Sequence, residues 1–77
     1  MSNYDKIERL RIRDLREDSD RTQKEVASLL NMQLTTYREY ENQERRVPAD
    51  FIIKIAKLYN VSMDYVCGLT NDPKGLR

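Results

Sequence analysis

An all-α fold of five short helices around one thin core is what this sequence predicts, on three observations. Apolar residues recur at three- and four-residue spacing along most of the chain, the period of a helix face. Residues that start and stop helices punctuate those stretches at short intervals. Only two glycines and two prolines interrupt the 77 residues, which leaves room for long helical stretches. A chain of this length is expected to form one domain over residues 1–77, with its core in 5–69 and a short tail over 70–77. Such a chain buries only about 60% of its unfolded surface, so each core side chain matters.

The first helix is expected over residues 5–17, where Ile7, Leu10, Ile12 and Leu15 make a loose apolar stripe and Lys6, Arg9 and Arg13 lie on another face. The run "EDSDR" has no apolar anchor and reads as a connector. Thr22 and Glu25 then form a capping box for the second helix, hydroxyl to the N3 amide and carboxylate back to the cap amide. Val26, Ala27, Leu29 and Leu30 are its expected buried side, and Asn31 suits the left-handed residue that ends a helix. The third helix is expected over 33–42, with Tyr37 and Tyr40 inward as core and Leu34, Thr35, Arg38 and Glu39 on the opposite face. Thr35 and Thr36 are mediocre helix formers, an odd choice for a face selected for stability alone.

After the charged loop "QERRVP", Pro48 fits the first turn of a fourth helix, where its missing N–H costs nothing. Ile52, Ile55, Ala56 and Tyr59 follow at i, i+3, i+4 and i+7, with Phe51 and Ile53 adding apolar surface beside that stripe. Asn60 stops it. Ser62 caps a fifth helix, Asp64 suits its N-terminal dipole, Met63, Val66 and Cys67 face inward, and Gly68 ends it.

Composition excludes several functions. With no histidine and one cysteine, the usual zinc and copper sites have no ligand set, and acid–base chemistry near neutral pH loses its commonest residue. No glycine-rich phosphate loop occurs. Neither an enzyme nor a cofactor is expected, and no small-molecule ligand is evident. No apolar run approaches the roughly 20 residues that span a bilayer, and "MSNYDKIERLR" has no apolar signal core. No membrane partner is therefore expected. The expected location is cytoplasmic, and the single cysteine fits a reducing compartment. A net charge of +1 does not announce a nucleic-acid partner. The arginines do cluster, at 9, 11, 13 and 16 and again at 38, 45 and 46, but acids interleave with them. Any basic face must be built by folding.

The second and third helices have only Asn31 and Met32 between them, so they meet at a steep angle. A helix-turn-helix has this spacing, and its second helix can enter a DNA major groove. A generic helical bundle with a tight corner has it too. The residues go further. "TQKEVASLLNMQLTTYREYENQERRVP" followed by "FIIKIAKLYNVSMDYVCGL" resembles the lambda repressor/Cro-like helix-turn-helix family, also called XRE. The markers that carry the resemblance are Arg16, Thr22-Gln23, Ala27, Tyr40-Glu41-Asn42, Pro48, Ile55-Ala56, Val61-Ser62 and Val66, spread over residues 12–69.

The resemblance implies a compact five-helix lambda-repressor-like DNA-binding domain. Its partner would be double-stranded DNA. Leu34, Thr35, Arg38 and Glu39 take the family's groove-facing positions. Arg38 could fork onto guanine, Thr35 meet a thymine methyl and Glu39 accept from cytosine. Leu34 stands where the family often has glutamine, so it cannot read adenine bidentately, and no known operator transfers. Gln23, Gln33, Thr36, Asn42, Arg45 and Arg46 are the implied phosphate contacts, with Gln33 alternatively a cap. Gln43 replaces the usual glycine, so a different turn is expected there. Arg16 and Glu41 match a family ion pair that fixes the angle of the recognition helix.

Family habit further implies a homodimer on a palindromic site, with contact surfaces in the loop before the fourth helix and in the fifth helix, including Met63, Tyr65 and Leu69. The expected function is a sequence-specific transcriptional regulator, in the sense of a repressor. The alternative is a protein-interaction module, antitoxin-like or an adaptor, on the same scaffold. Near-neutral charge, Leu34 and Glu39 favour the alternative; Gln23, Asn42, Arg45 and Arg46 favour the regulator.

Overall fold

Five helices form among residues 10–74, the part of the chain that the computed structural model describes, and no strand forms among them. They are α1 (Ile12–Asp18), α2 (Gln23–Leu29), α3 (Leu34–Glu41), α4 (Ala49–Tyr59) and α5 (Met63–Val66). None is long and apolar enough to cross a membrane.

The first helix begins later than its apolar stripe suggests. Ile7, Lys6 and Arg9 lie outside the described residues, and Leu10 is not helical. The reason is where the main-chain donors go. Leu10 N–H bonds Gln43 Oε1 at 2.8 Å, and Arg11 N–H bonds the Val66 carbonyl at 2.8 Å. Helical bonding towards the N-terminus therefore ends at Leu15 N–H on the Arg11 carbonyl. Leu10 still reaches the core.

In α2 the capping box forms. Thr22 Oγ1 accepts from Glu25 N–H at 3.0 Å, and Thr22 N–H donates to Glu25 Oε1 at 2.8 Å. Val26 and Ala27 are buried, but Leu29 is 58% exposed, against the expectation. At about 100° per residue, Val26, Ala27 and Leu30 share one direction and Leu29 points roughly 110° away from it. Ile53 on α4 is 39% exposed for the same reason, since Phe51, Ile52, Ile55 and Ala56 define the inward arc. Pro48 sits one position earlier than expected, at the N-cap of α4 with φ −74°. Ser62 caps α5, its Oγ accepting from Tyr65 N–H at 3.0 Å.

Each helix contributes one fully buried side chain to a common centre: Ile12, Val26, Tyr37, Ile55 and Val66. Phe51 joins them and lies against two rings of α3, with centroids 6.1 Å from Tyr37 and 4.6 Å from Tyr40. Both tyrosines are thus packing residues, Tyr40 partly buried. The expected tail is not free over residues 70–74. Ser62 N–H bonds the Pro73 carbonyl at 2.7 Å, and Arg11 Nη2 reaches the Thr70 carbonyl at 3.3 Å. Residues 75–77 lie outside the described part. Arg11 also donates from Nε to the Tyr65 carbonyl at 2.8 Å and stacks 4.4 Å over the Tyr65 ring. This leaves Leu69, 44% exposed, as the open apolar residue among Met63, Tyr65 and Leu69.

Candidate nucleic-acid interface

The site is organised from below by one buried carboxylate. Tyr37 and Glu41 are four apart on α3, hence stacked on one face, and both are buried. Tyr37 donates its hydroxyl to Glu41 Oε1 at 2.8 Å. Arg16 from α1 forks onto the same group, Nε to Oε1 at 2.8 Å and Nη2 to Oε2 at 3.1 Å. Gln23 from α2 donates Nε2 to Oε2 at 2.8 Å, and Arg13 approaches Oε2 at 3.4 Å. Three helices thus meet on Glu41, which is 6% exposed.

Burial alone would push this carboxyl towards its neutral form. The bonds from Arg16, Tyr37 and Gln23 outweigh that and hold its pKa at about 2. The Arg16 pKa rises in turn, through its bond to Glu41. Tyr37 is pushed up by burial and by donating to Glu41. A charge-assisted fork of this kind constrains direction as well as distance. Arg16 also donates Nη1 to the Arg21 carbonyl at 3.0 Å, tying the α1–α2 connector into the brace.

Above the brace, Thr35, Arg38, Glu39 and Asn42 fall at i, i+3, i+4 and i+7, so they line one outward face of α3. Thr35, Arg38 and Asn42 are exposed; Glu39 and Thr36 are partly so. Arg38 Nε donates to Gln23 Oε1 at 3.2 Å, and Arg45 Nη1 donates to Glu39 Oε1 at 3.0 Å while its guanidinium lies 5.6 Å over the Tyr40 ring. Arg46 is exposed in the loop that leads to α4.

A helix-turn-helix family profile matches residues 12–66, the whole span from α1 to α5. The chain belongs to the XRE-type helix-turn-helix family. It is 36% identical over 63 residues to an uncharacterized HTH-type transcriptional regulator, YobD, of Bacillus subtilis (strain 168), covering 82% of this chain and 56% of that protein. It is 38% identical over 58 residues to the HTH-type transcriptional regulator ImmR of the same strain, covering 75% of this chain and 46% of that one. Against the cryptic phage CTXphi transcriptional repressor RstR of Vibrio cholerae serotype O1 (strain ATCC 39315 / El Tor Inaba N16961), identity is 31% over 58 residues, 75% of this chain and 52% of the relative. The chain spans about half the length of these relatives. No solved structure matches it significantly.

Five of the candidate residues make side-chain contacts at this site, in three places. Gln23 and Arg38 touch; Glu39 and Arg45 touch; Asn42 accepts from Arg13 Nη2 through Oδ1. One expectation is corrected, the alternative capping role of Gln33. Leu34 is partly buried and packs against the core, with the rest of its side chain facing outward. Gln33 sits at the N-cap of α3 but makes no side-chain capping bond, its chain being too long to fold back as serine does. The side-chain amide of Gln23 is also engaged at both ends, by Glu41 and by Arg38, which leaves the second Nε2 hydrogen as its donor for a phosphate.

Gln43 does not impose a different turn. It takes φ 55°, the left-handed geometry a glycine would adopt, and uses its side chain to hold Leu10 N–H. Arg13, Tyr37 and Gln43 therefore matter to the site although reading the residues in order did not single them out for it. The i, i+4 spacing of Tyr37 and Glu41 carried a signal for the first bond; nothing local signals the reach of Gln43 to a residue 33 positions away.

Proposed function

We propose that this chain binds double-stranded DNA by laying the outward face of α3 in the major groove and acts as a sequence-specific transcriptional regulator, in the sense of a repressor. One observation carries the reading: the exposed Thr35–Arg38–Asn42 stripe belongs to the second helix of a helix-turn-helix pair and is held from beneath by the Glu41 brace. The relatives named transcriptional regulator and transcriptional repressor support it. In this reading Arg38 leaves Gln23 for guanine O6 and N7, Thr35 meets a thymine methyl, the open edge of Leu34 gives apolar contact, and Glu39 accepts from cytosine N4 once Arg45 has turned to a phosphate. Gln23, Gln33, Thr36, Asn42, Arg45 and Arg46 contact the backbone. Two copies with two-fold symmetry would place their α3 helices about 34 Å apart on a palindromic site.

Amide chemical shifts of labelled protein, followed while a mixed-sequence duplex is added at about 50 and 200 mM salt, test this. Shifts centred on Gln23, residues 33–39, Asn42, Arg45 and Arg46, and weakened by salt, are the expected outcome. Absence of any shift at the lower salt would sink the reading. It would turn attention to a protein partner, which the internal pairing of Arg38 and Arg45 and the exposed Leu29 favour.

A further inference from the structure

We infer that Arg13, on α1, is a further phosphate-binding residue that carries the DNA-backbone contact from the end of α3 across to the first helix; this rests on the DNA-binding reading above. The first argument is place. Asn42 lies four positions after Arg38 and seven after Thr35, so it ends the outward stripe of α3. Arg13 Nη2 donates to Asn42 Oδ1, which sets the guanidinium at that same end.

The second argument is charge. The Glu41 carboxylate takes a full fork from Arg16, at 2.8 and 3.1 Å, and its side chain is wholly buried. Arg13 reaches it through one long contact of 3.4 Å and keeps 51% of its side chain exposed. Glu41 is already forked by Arg16, so Arg13 is the less engaged of the two guanidiniums and stands on the solvent side. The third argument is shape and donors. Leu10, Arg13, Glu41, Asn42 and Gln43 line an open depression. With Asn42 Oδ1 taken, Nδ2 is the group of that amide left to donate, beside the N–H groups of Arg13 that bond no described residue. Leu10 N–H is closed to a ligand, because Gln43 Oε1 holds it at 2.8 Å. Two convergent donor groups, one of them a guanidinium, suit a phosphate oxygen.

The competing role is a brace between α1 and α3 with no ligand. Wild type, Arg13→Gln and Arg13→Lys, titrated with a mixed-sequence duplex at about 50, 100 and 200 mM salt, separate the two. Loss of one phosphate contact lowers the salt slope of Arg13→Gln by about 0.9, so the advantage of wild type shrinks roughly threefold across that range, while Arg13→Lys keeps the wild-type slope. An Arg13→Gln variant with the wild-type slope and a lowered Tm overturns the inference and leaves a brace. Should that variant not fold, the Arg13 Nε and Asn42 Nδ2 signals of wild type decide: shifts on duplex addition that fade with salt support the contact, and unmoved signals overturn it. Wild type that binds no duplex at the lowest salt overturns the DNA-binding reading itself, and this inference with it.

Discussion

Glu41 is the residue on which most depends. Its carboxylate is buried, and its partners come from α1, α2 and its own helix. Removing it by Glu41→Ala leaves Arg16, whose side chain is only 14% exposed, without a counter-charge. We predict a loss of about 3–5 kcal/mol in urea unfolding, comparable with the total stability of a small domain. Tyr37→Phe removes one donor and keeps the ring, so about 1–3 kcal/mol is expected. The acid response follows from the sign of the shift. The Glu41 pKa falls from 4.5 to about 2 on folding, so its stabilisation is complete above pH 4.5 and is lost as the pH falls towards 2. Stability measured between those limits should decline in wild type and decline less in Glu41→Gln. Equal slopes in the two proteins would deny Glu41 this role.

At the scale of the element, all five helices end the same way. Asp20, Asn31, Gln43, Asn60 and Gly68 have positive φ. In each case the next residue bonds back to the carbonyl five positions earlier, as Met32 does to Ala27 and Val61 to Ala56, both at 2.9 Å. This is the Schellman motif, and glycine is its favoured residue. Here glycine holds one of the five sites, so four side chains sit in a region that disfavours a Cβ. Asp20→Gly should therefore stabilise the protein by roughly 0.5–1 kcal/mol, read as a rise in the urea midpoint. Gln43→Gly should not, because the relief is of the order of 1 kcal/mol and the Leu10 N–H loses a bond worth about as much or more. At the other end of α2, Thr22→Ala should cost about 1 kcal/mol.

For the whole molecule the core is small and shared. Phe51 packs on both tyrosines of α3 from α4. Phe51→Ala should cost about 3–5 kcal/mol and leave a large unfolded fraction by circular dichroism at room temperature. The DNA-binding reading makes its own prediction at this scale. Arg38→Ala should flatten preference at one base pair by about 1–3 kcal/mol with the salt slope kept, whereas Arg45→Ala should weaken all duplexes alike and lower the slope by about 0.9. A selection from a randomised duplex library, repeated with each variant, checks both. Variants that change neither preference nor slope would remove α3 from the interface.

By itself the amino-acid order determined the class, the helices and most of their ends, because these are local. The Thr22–Glu25 capping box, the Ser62 cap, the left-handed Asn31 and the stripe of α4 all act within a few residues. The outward stripe of α3 was legible for the same reason, and the family markers pointed to the Arg16–Glu41 pair. Tertiary structure decided what depends on distant partners. The start of α1 turns on main-chain bonds to Gln43 and Val66, and the geometry of Gln43 turns on a donor 33 positions away. Leu29 was expected on the buried side of α2 and is exposed, because direction around a helix is settled by what packs against it. The engagement of Gln23 by Glu41 and Arg38, and of Asn42 by Arg13, exists only once α1, α2 and α3 meet. A side chain's type limits the bonds it can make, and the fold determines which partners come within reach.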